Sequence, residues 1–240
     1  MTRTEFLARV RREMAKTPGL FPARPAARPD RPAEAAELIR REMAERWPAA
    51  LERFREEFER VGGVLHRAPT REAAAQVVAG IAAERGMRRA VSWSAAALDL
   101  PLGPALAAGG VALVPAPDGA GEAARLRHRA DAAVAELGVT GADLALAETG
   151  TLVLMSGAGR PRSTSLLPET HVAVFDRTAL VETLEQVGVI LEALHVEPDR
   201  AATGAVVNFI TGPSRTADIE LTLTRGVHGP KYIHAVFAEG

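Results

Sequence analysis

The 240-residue chain contains no cysteine. That absence removes disulfides, thiolate zinc sites, iron–sulfur ligation and cysteine nucleophiles together, so any redox centre must belong to another molecule. Lysine is nearly as scarce: of 29 basic residues only Lys16 and Lys231 are lysine, which leaves Schiff-base chemistry almost without candidates. The longest apolar runs, residues 111–117 and 204–210, fall well short of the roughly 20 residues of a membrane-spanning helix. Residues 1–18 are charged throughout and lack the apolar centre of a secretory signal, which predicts a cytoplasmic address. A net charge of −1 offers no general attraction to nucleic acid or an anionic membrane. Several signatures are also missing: GxSxG, GxxxxGK[ST], a complete GxGxxG after a strand, HxH and HExxH. Serine hydrolysis, the commonest nucleotide folds and a histidine-built metal site are therefore not predicted.

What is present is enough apolar sequence, 47% of residues, to bury a full core as one large domain or a domain with an appendage. Phe6, Leu7, Val10 and Met14 have helical spacing, and the prolines of residues 17–32 then break any helix. This spacer carries Arg24, Arg28 and Arg31 and reads as a solvated linker. Ile39, Met43, Trp47, Leu51, Phe54, Phe58 and Val61 next advance by fours and threes, placing one apolar stripe on a long helix. Pro48 predicts a kink there, or a division into two helices. The stripe suits the chain's own core, and it leaves room for a homo-oligomer in which it packs on a second copy. After Gly62 and Gly63 short β-type runs alternate with helical ones. Strands are expected at VLHRA, RAVSWS, VALVPAP and residues 151–156, 171–176, 205–210 and 232–237, and helices at 71–85, 126–137 and 179–194. This alternation predicts an α/β fold with a mainly parallel sheet flanked by helices. The predicted organisation is an N-terminal helical arm and linker, residues 1–62, and an α/β domain, residues 63–240.

Two stretches could carry chemistry. In residues 147–171 a strand leads into Gly157, Gly159, Arg160, Arg162, Ser163, Thr164 and Ser165, which offer backbone amides, hydroxyls and two guanidinium forks. Such a loop suits a carboxylate or phosphate, though a solvent-exposed connection has the same composition. Glu148 stands at the entrance to the strand, where a carboxylate can reach a crevice. The second stretch, TGPSRTADIELTLTRGVHGP, covers residues 211–230. Gly212–Pro213 forces a turn, and Ser214 or Thr216 could cap a helix over residues 215–225, whose exposed amides would form an anion cradle with Arg215. The alternation of residues 220–224 allows a strand instead; the helix is preferred because it would connect two strands in the usual way. Asp218 and Glu220 would share a face only on a strand. His228 sits in a rigid loop with Gly226, Gly229 and Pro230, while His171 and His234 read as satisfied strand histidines. The candidates are therefore Glu148, Asp218 and His228 for catalysis, and Arg162, Ser163, Gly212, Ser214, Arg215, Thr216 and Gly229 for ligand binding, with no metal site.

GPSRTADIE followed by GVHGP, together with ETGTLVL and SLLPETHVAV, resembles the LUD-domain family of the lactate utilization protein C type, over roughly residues 148–237. The resemblance implies a fold similar to the sugar-phosphate isomerase, CoA transferase and formyltetrahydrofolate cyclo-ligase group. It also implies a part in oxidising L-lactate to pyruvate beside partner proteins that carry iron–sulfur clusters, and the lack of cysteine fits a subunit without a cluster. It brings neither a defined cofactor nor established catalytic residues. The expected function is a component of an L-lactate utilization system that binds a small anionic ligand. The alternative is an independent CoA-transferase-like or cyclo-ligase-like enzyme acting on a carboxylate or acyl ester, with Glu148 as nucleophile by analogy.

Overall fold

The computed structural model describes residues 2–15, 29–119, 121–196, 203–217, 223–226 and 228–239. Two compact units result, Met1–Asp30 and Arg31–Gly240. The first contains helix α1 (Arg3–Ala15). Thr2 and Glu5 begin it as a capping box, since each side chain accepts from the other's backbone N–H, at 3.3 and 2.8 Å.

The second unit opens with α2 (Pro32–Arg60), a single continuous helix that contains Pro48. Helix α2 lies in the same compact unit as the sheet. Phe54 and Phe58 are fully buried, their rings stacked at 5.2 Å, and Phe54 meets Phe175 edge-on at 5.4 Å. Trp47 stacks on Phe237 at 5.6 Å. Buried Met43 and Leu51 on either side of Pro48 hold both halves to one core, and each such side chain contributes roughly 2 kcal/mol of hydrophobic stabilisation. The stripe therefore covers this chain's own core.

The chain continues through β1 (Val64–Ala68), α3 (Arg71–Glu84), β2 (Arg89–Ser92), α4 (Ala95–Leu98), α5 (Leu102–Ala108), β3 (Ala112–Pro115), α6 (Glu122–Val134) and β4 (Leu137–Gly141). It then forms β5 (Leu144–Leu146), β6 (Thr151–Gly157), α7 (Ser163–Leu166), β7 (Thr170–Asp176), β8 (Leu180–Val181), α8 (Leu184–Val196) and β9 (Thr203–Ile210). The last elements are β10 (Arg215–Ala217), β11 (Leu223–Arg225) and β12 (Tyr232–Ala238). Six strands make an all-parallel sheet in the order β1-β12-β7-β4-β2-β3. A smaller mixed sheet has the order β8-β5-β6-β9.

Alternate residues of the main sheet face different layers. Val91 packs on Ala132 and Ala135 beside α6, whereas Ala90, Val139 and Val172 join the main core. From β2 the chain leaves through α4 and α5, which packs with α3; from β4 it leaves through β5, β6 and α7, which packs with α6. Adjacent strands β2 and β4 thus send their connections to different layers, which opens a crevice outside their carboxyl ends.

Two expectations are corrected. The helix expected over residues 215–225 is absent: Arg215–Ala217 and Leu223–Arg225 are strands paired antiparallel, Arg215 opposite Arg225. A helix there would serve a crossover between parallel neighbours, but β9 pairs antiparallel with β6 in the smaller sheet, so none is required. The helix expected from residue 179 begins at Leu184. Thr183 accepts from Gln186 N–H at 3.3 Å while the Gln186 side chain accepts from Glu182 N–H at 2.7 Å, a cap that starts the helix later.

Candidate functional site

A cavity of about 780 Å³ lies where the loop after β3, one side of α6 and residues 156–167 converge. Its position is fixed by glycine. Gly157 and Arg160 close a tight turn by exchanging backbone hydrogen bonds of 3.1 and 3.2 Å, and the Gly159 carbonyl accepts from Ser94 N–H at 2.8 Å. Gly159 has φ +68°, and a Cβ there would lie 2.3 Å from Ser94 Oγ. The turn is thereby docked just beyond the carboxyl end of β2. Below it, α7 lies flush on β4: a Cβ on Gly138 would stand 1.9 Å from the Thr164 carbonyl oxygen.

Among the described residues, Arg125, Arg129, Arg160 and Arg162 line the cavity and no aspartate or glutamate does. Arg160 is already committed. Its guanidinium donates to Asp143 Oδ1 at 2.7 Å and lies 5.2 Å over the Trp93 ring, while Asp143 Oδ2 accepts from Met155 N–H at 2.7 Å. Arg125, Arg129 and Arg162 have no ion-pair partner among the described residues. His128 is 2% exposed, its Nε2 3.1 Å from Thr164 Oγ1 and its Nδ1 without a partner among the described residues. Burial holds this imidazole below its ordinary pKa and therefore neutral. The cavity offers guanidinium forks that suit an oxyanion, with the Asp118 carboxylate beside the Gly159 turn as a neighbouring negative charge.

The expected site residues divide into three places. Arg162 and Ser163 line the cavity. Gly212, Ser214, His228 and Gly229 come together at the base of the β10–β11 hairpin, at the amino end of β12. There Ser214 N–H donates to Pro230 O at 3.0 Å, and its Oγ accepts from His228 N–H at 3.3 Å. Gly212, with φ +77°, fits against Val61, whose carbonyl oxygen would be 2.6 Å from an added Cβ. These contacts build a turn, and none of the four residues lines either of the two larger cavities. Arg215 and Thr216 lie on strand β10 rather than in the first turn of a helix, and Asp218 falls outside the described residues. Glu148 is at α8, where its carboxylate accepts from Leu184 N–H at 3.0 Å. Glu148→Ala is expected to cost about 1 kcal/mol by exposing that helix end, read as a lower urea midpoint, while leaving anion binding unchanged.

Arg125, His128 and Arg129 were absent from the sequence candidates. Their signal was the spacing in RLRHRAD, which sets residues 125, 128 and 129 on one helical side. A second cavity of about 320 Å³ has mainly apolar walls, among them Ile39, Met43, Leu144 and Ile190, and also touches Asp143. Among the described residues no group of three or more His, Asp or Glu side chains is placed to hold a metal ion. No helix of the described residues is long and apolar enough to cross a membrane.

An open parallel sheet flanked by helices, with a cavity outside the strands' carboxyl ends, defines the general class, an α/β domain. The chain belongs to the LUD domain family, whose sequence pattern matches residues 51–238. It is similar to lactate utilization protein C of Halalkalibacterium halodurans, 45% identical over 113 residues, which is 45% of this chain and 46% of that one. The protein of the same name from Geobacillus sp. (strain WCH70) is 42% identical over 100 residues, covering 40% of this chain and 39% of its own. The chain thus matches less than half the length of either relative. A DUF162 family protein from Deinococcus radiodurans has the same fold, with a TM-score of 0.53 and 19% identity over 80% of this chain and 98% of that one.

Proposed function

We propose that this chain is a component of an L-lactate utilization system, that its arginine-lined cavity receives an anionic ligand, and that it acts with iron–sulfur partner proteins in the cytoplasm. The observation carrying this reading is a cavity whose described lining residues include four arginines and no acidic side chain, in a chain similar to proteins named for lactate utilization. A chain without cysteine cannot ligate a cluster through thiolates, so electrons removed from a hydroxy acid would pass to a partner. In the alternative transferase-like or cyclo-ligase-like reading Glu148 would be a nucleophile only by analogy, and its carboxylate instead accepts from Leu184 N–H at the start of α8.

The test is reconstitution of lactate-dependent electron transfer. The chain alone should give no turnover, and the chain with its cluster-bearing partners should reduce an acceptor dye. Arg129→Ala combined with Arg162→Ala should lower that rate about tenfold or more, the usual effect of losing charge-assisted hydrogen bonds. Turnover by the isolated chain, or full activity in the double variant, would contradict the proposal.

A further inference from the structure

We infer that the ligand of this cavity is a phosphate-bearing molecule of nucleotide size carrying at least two negative charges, rather than the three-carbon acid itself. The inference rests on the anionic reading of the cavity and goes beyond it in naming the ligand's class.

Charge decides first. Arg160 is balanced by Asp143, whereas Arg125, Arg129 and Arg162 have no ion-pair partner among the described residues; Asp118 Oδ1 stands near the turn, 3.6 Å from where a Cβ on Gly159 would lie, and no carboxylate is among the described residues lining the walls. A monocarboxylate would answer one of these cations. Arg125 and Arg129 stand one helical turn apart, where like charges repel. A diphosphate, with several oxygens and more than one charge, can engage forks from both α6 and the loop that precedes α7. The turn adds donors of the right kind, because the N–H groups of Ala158 and Gly159 donate to no described acceptor.

Size points the same way. A cavity of about 780 Å³ falls in the range that encloses most of a cofactor-sized molecule, and a three-carbon acid would leave most of it to water. Pro117, Leu166 and Leu167 provide an apolar wall for the body of such a molecule. The buried, neutral His128 imidazole contributes no further charge to that side of the cavity.

Calorimetric titration of the full chain with inorganic pyrophosphate, ADP, L-lactate and pyruvate tests this. Pyrophosphate and ADP should bind at least about tenfold more tightly than either acid, and Arg129→Ala and Arg162→Ala should each weaken them about tenfold or more with unchanged melting temperature. If lactate or pyruvate binds as tightly as pyrophosphate and loses affinity in the same variants, the phosphate inference is overturned while the anion cavity stands. If none of the four binds, or if pyrophosphate binding survives replacement of Arg125, Arg129 and Arg162 together, both readings fall.

Discussion

Replacing Gly150 with alanine is expected to destabilise the larger unit by roughly 4 kcal/mol or more, the combined cost of a left-handed backbone and a clash with main-chain atoms. Gly150 has φ +60°, and an added Cβ would lie 2.2 Å from Phe58 N and 2.5 Å from the Glu57 carbonyl carbon. Neither neighbour is the free end of a side chain, so α2 itself would have to move. Its last turns carry Phe54 and Phe58, whose rings are fully buried, and displacing them would open the centre of the core. Hydroxyls of Thr149, Thr151 and Thr211, linked at 2.7 Å steps, tie the same corner to β9. Urea denaturation measures the effect; a midpoint corresponding to a loss below about 1 kcal/mol would show that the corner yields easily.

Stability should also fall steeply on mild acidification. His171 is completely buried with Nε2 2.8 Å from Thr140 Oγ1, and burial, aided by His234, pushes its pKa down to about 3. His234 lies 3.0 Å from His66 through their ring nitrogens, and burial, then His66 and Arg85, pushes its pKa down to about 4. In the unfolded chain both rings protonate near pH 6.5, so between that pH and about 4 the unfolded state binds more protons. Stability is therefore fully present above pH 6.5 and declines as pH falls towards the folded values. At about pH 5 each ring removes on the order of 2 kcal/mol, because one pKa unit corresponds to about 1.4 kcal/mol. The urea midpoint should drop between neutral pH and about pH 5, and His234→Gln should flatten the slope; equal midpoints would mean that both rings protonate freely in the fold.

Sequence patterns carried much of both sheets. The helical stripe of α2, the strands β1, β6, β7, β9 and β12, and the glycine- and arginine-bearing loop all appeared as local signals, because periodicity and turn chemistry are local. What was hidden depended on partners distant in the chain. Nothing within residues 205–210 states that β9 pairs with β6 rather than joining the parallel sheet, and that pairing removed the reason for a helix at residue 215. Gly212 reads as forcing a turn beside an anion cradle, and nothing local singles out Gly150. Gly150 and Gly212 instead admit the carboxyl end of α2, a helix nearly a hundred residues or more away. Glu148, read as a carboxylate facing a crevice, holds the amino end of α8. The loop's Arg162 and Ser163 line the cavity, but its other wall, Arg125, His128 and Arg129, comes from a helix that reads as an ordinary solvated surface until α7 is laid on β4.

The central claim is that anions bind among Arg125, Arg129 and Arg162 and not at the hairpin base around Ser214. Amide hydrogen exchange with and without saturating inorganic pyrophosphate separates the two places directly. Slowed exchange in residues 157–167 and along α6, with residues 212–214 and 228–231 unchanged, is the expected result. Slowing confined to the hairpin base, or none in either place, would contradict the account.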